Sequence, residues 1–307
     1  MNWNPRELPD QTGTTVVVTG AGRGVGYFVA EQLAGAGARV LLGVRSRERA
    51  DAAMRSIRQQ HPDALLEFVP LDLASLESVR EAAVAFARFA PIDVLINNAG
   101  LTSPPRDRET TADGFELVVG TNHLGAFALT ALLASSLAPD ARVISLGSLS
   151  TRLATADLDD LLAEKGKYSA SRAYATSKHA VHAFALELDR RWRAAGSGRA
   201  SLLAHPGFAL DAPSEKRPGI TDLGSKADRF GERLLAPMTQ GKDRGAWPVV
   251  RAAVDPHAEG GQFYGPRGSV IGKPALQKPV AQSAAPEFGR RLWTLSEELT
   301  GTTFDPA

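Results

Sequence analysis

The chain has 307 residues, with 35 lysines and arginines against 34 aspartates and glutamates and a net charge of +1. This length allows one sizeable core, and the balanced charge lacks the one-signed field that holds nucleic acid or anionic lipid. Because the chain has no cysteine, a disulfide framework, a thiolate zinc site and a cysteine nucleophile are all excluded. The partners we expect are small molecules and further copies of the chain itself.

The N-terminal segment is polar and carries Pro5 and Pro9, so it lacks the apolar core of a secretory signal. No later stretch is apolar over the roughly 20 residues that a membrane-spanning helix needs. We therefore expect a soluble, cytoplasmic protein with no membrane span and no nucleic-acid partner.

Short apolar runs alternate with helical patterns along the first two thirds of the chain. The runs that we predict as strands are 15–19, 39–44, 66–71, 94–96, 142–146 and 200–203, and the predicted helices are 27–35, 46–60, 75–89, 114–137 and 174–195. Strands separated by helices of this length are joined by right-handed crossovers. The pattern predicts a single-domain α/β Rossmann fold over residues 1–307, a doubly wound parallel sheet of about seven strands with helices on both faces.

The stretch 208–245 interrupts this alternation with glycines, prolines and scattered charge. We interpret it as a lid or loop excursion over a substrate pocket rather than as a second domain. Its apolar side chains either line a pocket for a medium-to-large apolar substrate or pack the excursion onto the body. They are Phe208, Leu210, Ile220, Leu223, Phe230, Leu234, Leu235 and Met238.

A glycine-rich turn joins the first predicted strand to the first predicted helix. Its residues are Thr19, Gly20, Ala21, Gly22, Arg23, Gly24, Val25 and Gly26. Glycine lets the backbone approach a ligand closely, and a helix N-terminus offers free N–H groups to a dinucleotide pyrophosphate. The alternative is a tight connection without a ligand, but a second strand that ends near Arg45 favours the nucleotide site.

The end of the second strand carries no acidic residue. Sites for NAD commonly place a carboxylate there to accept hydrogen bonds from the adenosine ribose, whereas this chain has Arg45. Together with Arg23 in the glycine turn, Arg45 suits a 2′-phosphate. We expect NADP(H) to be preferred over NAD(H), the alternative being that both side chains merely face solvent.

Tyr174 and Lys178 are four residues apart in a predicted helix, so both project from one face. A nearby cation favours the phenolate and moves its pKa from about 10 toward physiological pH, where the group exchanges a proton with a carbonyl or an alcohol. Such pairs are common on helix surfaces. Only the context of this pair makes it a candidate for catalysis.

In that context the sequence resembles the short-chain dehydrogenase/reductase family. The matching motifs follow family order and spacing over about residues 13–210, and they are Thr19-Gly20-x-x-x-Gly24-x-Gly26, Asp72-Leu73, Asn97-Asn98-Ala99-Gly100, Asn122, Ser148, Tyr174-x-x-x-Lys178 and Pro206-Gly207. The stretches 121–125 and 292–301 are most similar to the retinol dehydrogenase and bacterial ketoreductase group.

The resemblance implies a role for each catalytic residue. Tyr174 is the general acid in reduction and the base in oxidation, and Lys178 lowers the pKa of this tyrosine and binds the nicotinamide ribose. Ser148 orients the substrate oxygen, and Asn122 holds a water that links Lys178 to a proton relay. Ser150 is an alternative to Ser148, because it faces the same way if the segment is extended.

The resemblance also implies cofactor contacts outside the glycine turn. These are Asp72 and Leu73 on the adenine ring, Asn98, Ala99 and Gly100 under the adenosine ribose, and Pro206 and Gly207, with the backbone of 205–209, at the nicotinamide pocket. Asn97 belongs either to the same turn or to a structural contact that steadies the sheet.

Three other groups of polar residues have simpler interpretations. His205 is more often a structural histidine beside the pocket than a base. His179 and His182 are three residues apart on a helix but lack a third ligand for a metal. Asp157, Asp159 and Asp160 form the solvated face of a short helix. We therefore expect no metal site.

Together these features predict an NADP(H)-dependent carbonyl reductase or alcohol dehydrogenase, and the resemblance points to retinoid, steroid, polyketide or aromatic carbonyl substrates. One rival is a regulator that binds NADP(H) without turnover. Another is a nucleotide-sugar epimerase, against which the glycine spacing and the modest C-terminal region argue. The resemblance implies a homodimer or homotetramer through the helices that bear Asn122 and Tyr174, or a monomer if 208–245 and the C-terminal tail block those contacts.

Overall fold

The computed structural model describes residues 3–221 and 239–305, and an eight-stranded sheet lies at its centre. The strands are β1 (Thr15–Thr19), β2 (Arg39–Val44), β3 (Leu66–Pro70), β4 (Ile92–Asn97), β5 (Leu137–Leu146), β6 (Ala200–Ala204), β9 (Phe263–Pro266) and β10 (Pro274–Gln277). Their order is β10-β9-β6-β5-β4-β1-β2-β3, and every pair is parallel except β9 with β10. The strand order reverses between β1 and β4, which opens a crevice at their carboxyl ends.

Helices cover both faces of the sheet. They are α1 (Gly24–Gly35), α2 (Arg47–Gln60), α3 (Leu76–Ala87), α4 (Leu117–Val119), α5 (Gly125–Leu132), α6 (Ala170–Ala194), α7 (Lys242–Gly245), α8 (Trp247–Val254), α9 (Ala281–Ala284) and α10 (Pro286–Thr300). One apolar core lies between the sheet and α1, α2 and α8, and a second between the sheet and α3, α5 and α6. The predicted α/β Rossmann fold is therefore confirmed.

The sheet has eight strands rather than about seven, and β9 and β10 are the two that the sequence pattern did not show. Both strands are short and contain Pro266 or Pro274, and proline weakens the pattern of a strand. The predicted helix 114–137 is divided: α4 leads into a π-helical turn, Gly120–Leu124, and then into α5, and β5 begins at Leu137.

Serine side chains begin two of the helices. The Ser46 hydroxyl accepts a hydrogen bond from the Arg49 N–H, and the Ser75 hydroxyl accepts one from Ser78. Each satisfies a backbone donor that the first turn of a helix leaves free. Ser46 caps α2, which consequently starts directly after the end of β2.

The stretch 208–245 is described only at its two ends. Its ends pair as two short parallel strands, β7 (Ala209–Leu210) and β8 (Gln240–Gly241). Ile220 is buried and Phe208 is 45% exposed. Leu210 lies in β7, and the other apolar residues of the predicted lid lie outside the described residues, namely Leu223, Phe230, Leu234, Leu235 and Met238. The lid therefore stays a prediction.

The long helix α6 packs against β5, β6 and α10. Trp192 and Trp293 are almost fully buried on this side of the sheet, where Trp293 stacks on Phe184 with ring centroids 5.9 Å apart. Within the described ranges, no helix combines the length and the apolar character needed to cross a membrane.

Arg142 ties the centre of the sheet to the end of α8. Its Nη1 donates to the carbonyl oxygens of Ala252, Ala253 and Asp255 at 3.4, 3.0 and 2.9 Å. The last carbonyls of a helix have no partner within the helix, so the guanidinium satisfies acceptors that would otherwise lack a donor. One strand side chain thereby fixes α8 on the face that carries α1 and the glycine turn.

We predict that Arg142→Met lowers the free energy of unfolding by ~1–3 kcal/mol, because it leaves these carbonyls without a donor. Arg142→Lys keeps the charge and one donor and should lose less. Urea denaturation followed by circular dichroism measures both variants. An Arg142→Met protein as stable as the wild type would contradict this role of the guanidinium.

Candidate active site

One face of α6 lies over the end of β5, and this contact forms the centre of the candidate site. The ammonium of Lys178 donates to the carbonyl oxygen of Leu146 at 2.9 Å. One turn earlier on α6, the Tyr174 side chain lies close enough to the Ser148 side chain for the serine to lower the pKa of the tyrosine. The structure therefore brings together three of the predicted catalytic residues, which the sequence separates by up to 30 positions.

Ser148 is held in an extended conformation directly after β5, with φ −152°. Its hydroxyl oxygen accepts a hydrogen bond from the Ser150 N–H at 3.1 Å. The Ser150 hydroxyl, in contrast, is buried without a hydrogen-bond partner in the described part of the chain. The local turn after β5 thus directs the side chain of Ser148, rather than that of Ser150, toward Tyr174.

Burial governs the protonation of the tyrosine and the lysine. Burial raises the pKa of Tyr174, and the hydrogen bond with Ser148 only partly offsets this rise. Burial also lowers the pKa of Lys178 to about 8. The Lys178 Nζ lies 5.9 Å from the centre of the Tyr174 ring and is directed to the Leu146 carbonyl. In the chain alone, the expected lowering of the tyrosine pKa is therefore outweighed by burial.

Asn122 lies in the π-helical turn between α4 and α5 and links two parts of the site. Its Oδ1 accepts from the Leu101 N–H at 2.7 Å, and its Nδ2 donates to the Ser177 hydroxyl at 3.0 Å. A β-carbon added at Gly100 would lie 2.8 Å from Asn122 Oδ1, which explains the glycine there. Asn122 thus connects the segment after β4 to the residue before Lys178, and the water it is expected to hold stays a prediction.

The glycine-rich turn packs directly against the end of β4. Gly20 has φ +71°, and a β-carbon at Gly26 would lie 2.2 Å from Asn98 Nδ2. The same Nδ2 donates to the Thr19 carbonyl at 2.7 Å, while the Thr19 hydroxyl accepts from the N–H groups of Asn98 and Ala99. The predicted ribose turn therefore also serves as a structural support for the glycine turn.

The remaining turn residues form a cradle with little side-chain volume at the start of α1. Gly24 has φ +66°, Val25 is half-buried against the apolar core, and a β-carbon at Gly22 would lie 2.9 Å from Val44 Cγ1. Asn97 is buried and donates from Nδ2 to the Thr130 hydroxyl at 3.0 Å, which fits its structural interpretation. The backbone N–H groups at this end of α1 are suited to a pyrophosphate.

Three arginines lie around the end of β2. Arg23 and Arg45 are both exposed, and Arg45 Nη1 is 3.9 Å from Asp72 Oδ2. Arg49 was missed by the sequence analysis: a β-carbon at Gly22 would lie 3.4 Å from Arg49 Cβ. Its position four residues after Arg45 was the available signal. Since an exposed ion pair contributes little free energy, the contact with Asp72 does not hold Arg45 away from a phosphate.

The predicted adenine contacts lie at the end of β3. Asp72 Oδ1 accepts from the Ala74 N–H at 3.0 Å, and its side chain is 40% exposed. Leu73 is buried, and a β-carbon at Gly125 would lie 2.2 Å from the Leu73 carbonyl oxygen. The close approach of α5 thus fixes the backbone of this predicted pocket wall.

The predicted nicotinamide end follows β6. The Pro206 carbonyl accepts from Gln240 Nε2 at 2.8 Å, and Gly207 has φ +68° with its N–H donating to His205 Nδ1 at 3.1 Å. A β-carbon at Gly207 would lie 2.1 Å from the Val270 carbonyl oxygen, so no side chain fits. Burial lowers the pKa of His205 to about 4, which makes it a neutral support of this turn.

Lys242 is a second basic residue that the sequence analysis missed. It follows β8, forms an ion pair with Asp211, and its Nζ would lie 4.0 Å from a β-carbon added at Gly24. A cation is therefore placed beside the glycine turn from a segment more than 200 residues away. No local pattern connects two positions so far apart.

The remaining polar residues have structural contacts. His179 Nδ1 and Nε2 lie 2.7 Å from the Ser283 hydroxyl and the Ala154 carbonyl, so α9 supports the segment after Ser148. Asp159 is exposed and pairs with Arg291. Across 3–221 and 239–305, no group of three or more histidines and carboxylates is placed to hold a metal.

Comparison with solved structures supports the fold across the chain. A crystal structure of an uncharacterized protein from Mycobacterium paratuberculosis matches with a TM-score of 0.80 at 35% identity, covering 99% of this chain and 100% of that one. A short chain dehydrogenase from Burkholderia cenocepacia, solved in complex with NADP, matches with a TM-score of 0.62 at 23% identity, covering 83% and 96%.

Comparison of sequences extends this result to the family. Polyprenol dehydrogenase of Mus musculus is 35% identical over 308 residues, which covers 98% of this chain and 88% of that protein. Retinol dehydrogenase 13 of Homo sapiens is 36% identical over 300 residues, covering 94% and 85%. The family model described as short chain dehydrogenase matches residues 14–197. The chain belongs to the short-chain dehydrogenase family.

Proposed function

We propose that the chain is an NADP(H)-dependent oxidoreductase that interconverts a ketone or aldehyde with an alcohol on a medium-to-large apolar substrate. The observation that carries this proposal is the proximity of the Tyr174 and Ser148 side chains at the end of β5, with Lys178 one turn further along α6. Two hydroxyl groups that meet beside a buried amine are suited to bind one carbonyl oxygen and to give it a proton.

When bound, the nicotinamide cofactor supplies or accepts the hydride. Ser148, whose hydroxyl is oriented by the Ser150 N–H, donates a hydrogen bond to the substrate oxygen and stabilises its developing negative charge. Tyr174 gives its proton to that oxygen in reduction and removes it in oxidation. Lys178 stabilises the resulting tyrosinate by its positive charge.

The basic residues around the end of β2 support the preference for NADP(H). Arg23 and Arg45 are exposed, Arg49 lies against the glycine turn, and no carboxylate ends β2. A guanidinium binds a phosphate by charge-assisted, bidentate hydrogen bonds, whereas an acidic residue would repel it. The arginines would therefore hold the 2′-phosphate.

Two exposed apolar side chains near the predicted nicotinamide turn, Phe208 and Ile271, support the proposed substrate class. Phe208 is 45% exposed and Ile271 is 40% exposed, and the Phe208 N–H donates to the Val270 carbonyl, so these two apolar side chains lie on joined segments. The related proteins are named for polyprenol and retinol, two apolar alcohols. We propose a carbonyl or alcohol of the retinoid, steroid, polyketide or aromatic type as the substrate.

The alternative function is a catalytically silent regulator that binds NADP(H). A regulator does not need the Tyr174 and Ser148 hydroxyls in contact or a lysine amine buried beside them, and this chain keeps both arrangements. Binding of NADPH without turnover of any ketone, aldehyde or quinone would favour the regulator.

We predict that Tyr174→Phe lowers kcat/KM by about 10²- to 10⁴-fold and changes the Kd for NADPH by less than about twofold, because only the proton donor is lost. NADPH oxidation with a panel of ketones, aldehydes and quinones measures this. The matched control is Tyr168→Phe. The Tyr168 hydroxyl donates to Glu116 at 3.0 Å, and its removal should leave turnover unchanged. Unchanged activity in Tyr174→Phe would refute the mechanism.

We also predict that Arg45→Ala weakens NADPH binding about tenfold, the equivalent of one charge-assisted hydrogen bond, and leaves NADH binding unchanged. Arg47→Ala is the control, since Arg47 pairs with Asp51 on α2 at 3.1 Å. Fluorescence titration of the wild type and both variants with each cofactor measures the six dissociation constants. A lower Kd for NADH than for NADPH in the wild type would contradict the proposed preference.

A further inference from the structure

His182 lies one helical turn beyond Lys178 on the same face of α6. The backbone N–H of Ser148 donates to His182 Nε2 at 3.2 Å. His182 is 1% exposed, so it has no access to a substrate and acts only on the residues around it. Ser148, whose side chain lies close to Tyr174, is thus bound to a histidine through its backbone.

This hydrogen bond fixes the state of the imidazole. Because Nε2 accepts, the neutral ring carries its proton on Nδ1, and Nδ1 is buried without a hydrogen-bond partner within the described ranges. Burial, together with the nearby basic groups Lys178, His179, His205 and Arg152, lowers the pKa of His182 to about 3. The ring therefore stays neutral, and Nε2 stays an acceptor, at physiological pH.

The neighbourhood of the ring is shaped to allow this contact. A β-carbon added at Gly147 would lie 2.2 Å from His182 Nε2, so only glycine lets the imidazole reach the Ser148 N–H. On its other side, the ring packs against Phe263 with centroids 5.0 Å apart. A leucine would fill this space without burying an unpaired N–H. The histidine therefore destabilises the core, and only the hydrogen bond that Nε2 accepts from Ser148 offsets this loss.

We propose that His182 is a positioning residue that holds the Gly147–Ser148 peptide so that the Ser148 hydroxyl stays directed at Tyr174. Lys178 binds the carbonyl of Leu146 on one side of this peptide, and His182 binds its N–H. Without the acceptor, the peptide is free to rotate and to carry the hydroxyl away from the substrate oxygen. The inference rests on the proposed function, because the serine is taken as the residue that orients the substrate.

The test compares two substitutions at this position. His182→Leu keeps a side chain of similar size and removes the acceptor, whereas His182→Gln places an amide oxygen near the position of Nε2. We expect His182→Leu to lower kcat between about 10- and 100-fold with KM and the Kd for NADPH nearly unchanged, since a small displacement of a catalytic group is enough for such a loss. His182→Gln should recover most of kcat.

Stability in acid separates positioning from a purely structural role. The pKa of His182 is lowered in the folded chain relative to its usual 6.5, so its contribution to stability is lost as the pH falls below about 6.5. The free energy of unfolding of His182→Leu, relative to that of the wild type, should therefore increase as the pH is lowered from 8 to 5, although the variant has a lower kcat. If His182 had only a structural role, His182→Leu would lose stability and kcat together.

A matched control and a readout without turnover complete the experiment. Ser296→Ala removes the hydroxyl 2.8 Å from Nε2 of another fully buried histidine, His123, and should leave kcat unchanged. Hydrogen exchange of the Ser148 amide should be slow in the wild type and in His182→Gln and fast in His182→Leu, even if no substrate in the panel is turned over. Wild-type kcat in His182→Leu, or equal loss in both variants, would overturn the proposal.

Discussion

The register of α6 against the end of β5 is the constraint on which the site depends. Tyr174, Lys178 and His182 follow one another at four-residue intervals. Tyr174 lies close to the Ser148 side chain, Lys178 binds the Leu146 carbonyl, and His182 binds the Ser148 N–H. Side chains at this spacing stay on one face of a helix. A shift of one residue would turn this face by about 100° and remove all three contacts together.

The same contact explains the electrostatics of the site. Burial raises the pKa of Tyr174 and lowers those of Lys178 and His182, so it favours the neutral form of each group in the chain alone. A protonated tyrosine at rest suits a general acid, because its proton is needed only when a negative oxygen forms beside it. Under the proposed function, the burial that opposes an isolated tyrosinate thus keeps the proton donor loaded before reduction.

Much of the fold was predictable because the central strands are continuous apolar runs buried on both faces, as β1 and β2 are. The strands β9 and β10 were missed, since glycine and proline weaken their pattern. The glycine turn and Arg45 were found because their signals are local. The contact of His182 with Ser148 and the position of Lys242 beside Gly24 have no local signal, since each joins residues that are distant in sequence. From the sequence alone, His182 was only one of two histidines, with His179, that lack a third ligand for a metal.

The most direct test is a crystal structure of the chain with NADP and the alcohol product of its best ketone substrate. We expect the product oxygen to lie within hydrogen-bond distance of both the Tyr174 and Ser148 hydroxyls, with the pyrophosphate on the glycine turn. A product oxygen bound away from both hydroxyls would contradict the account.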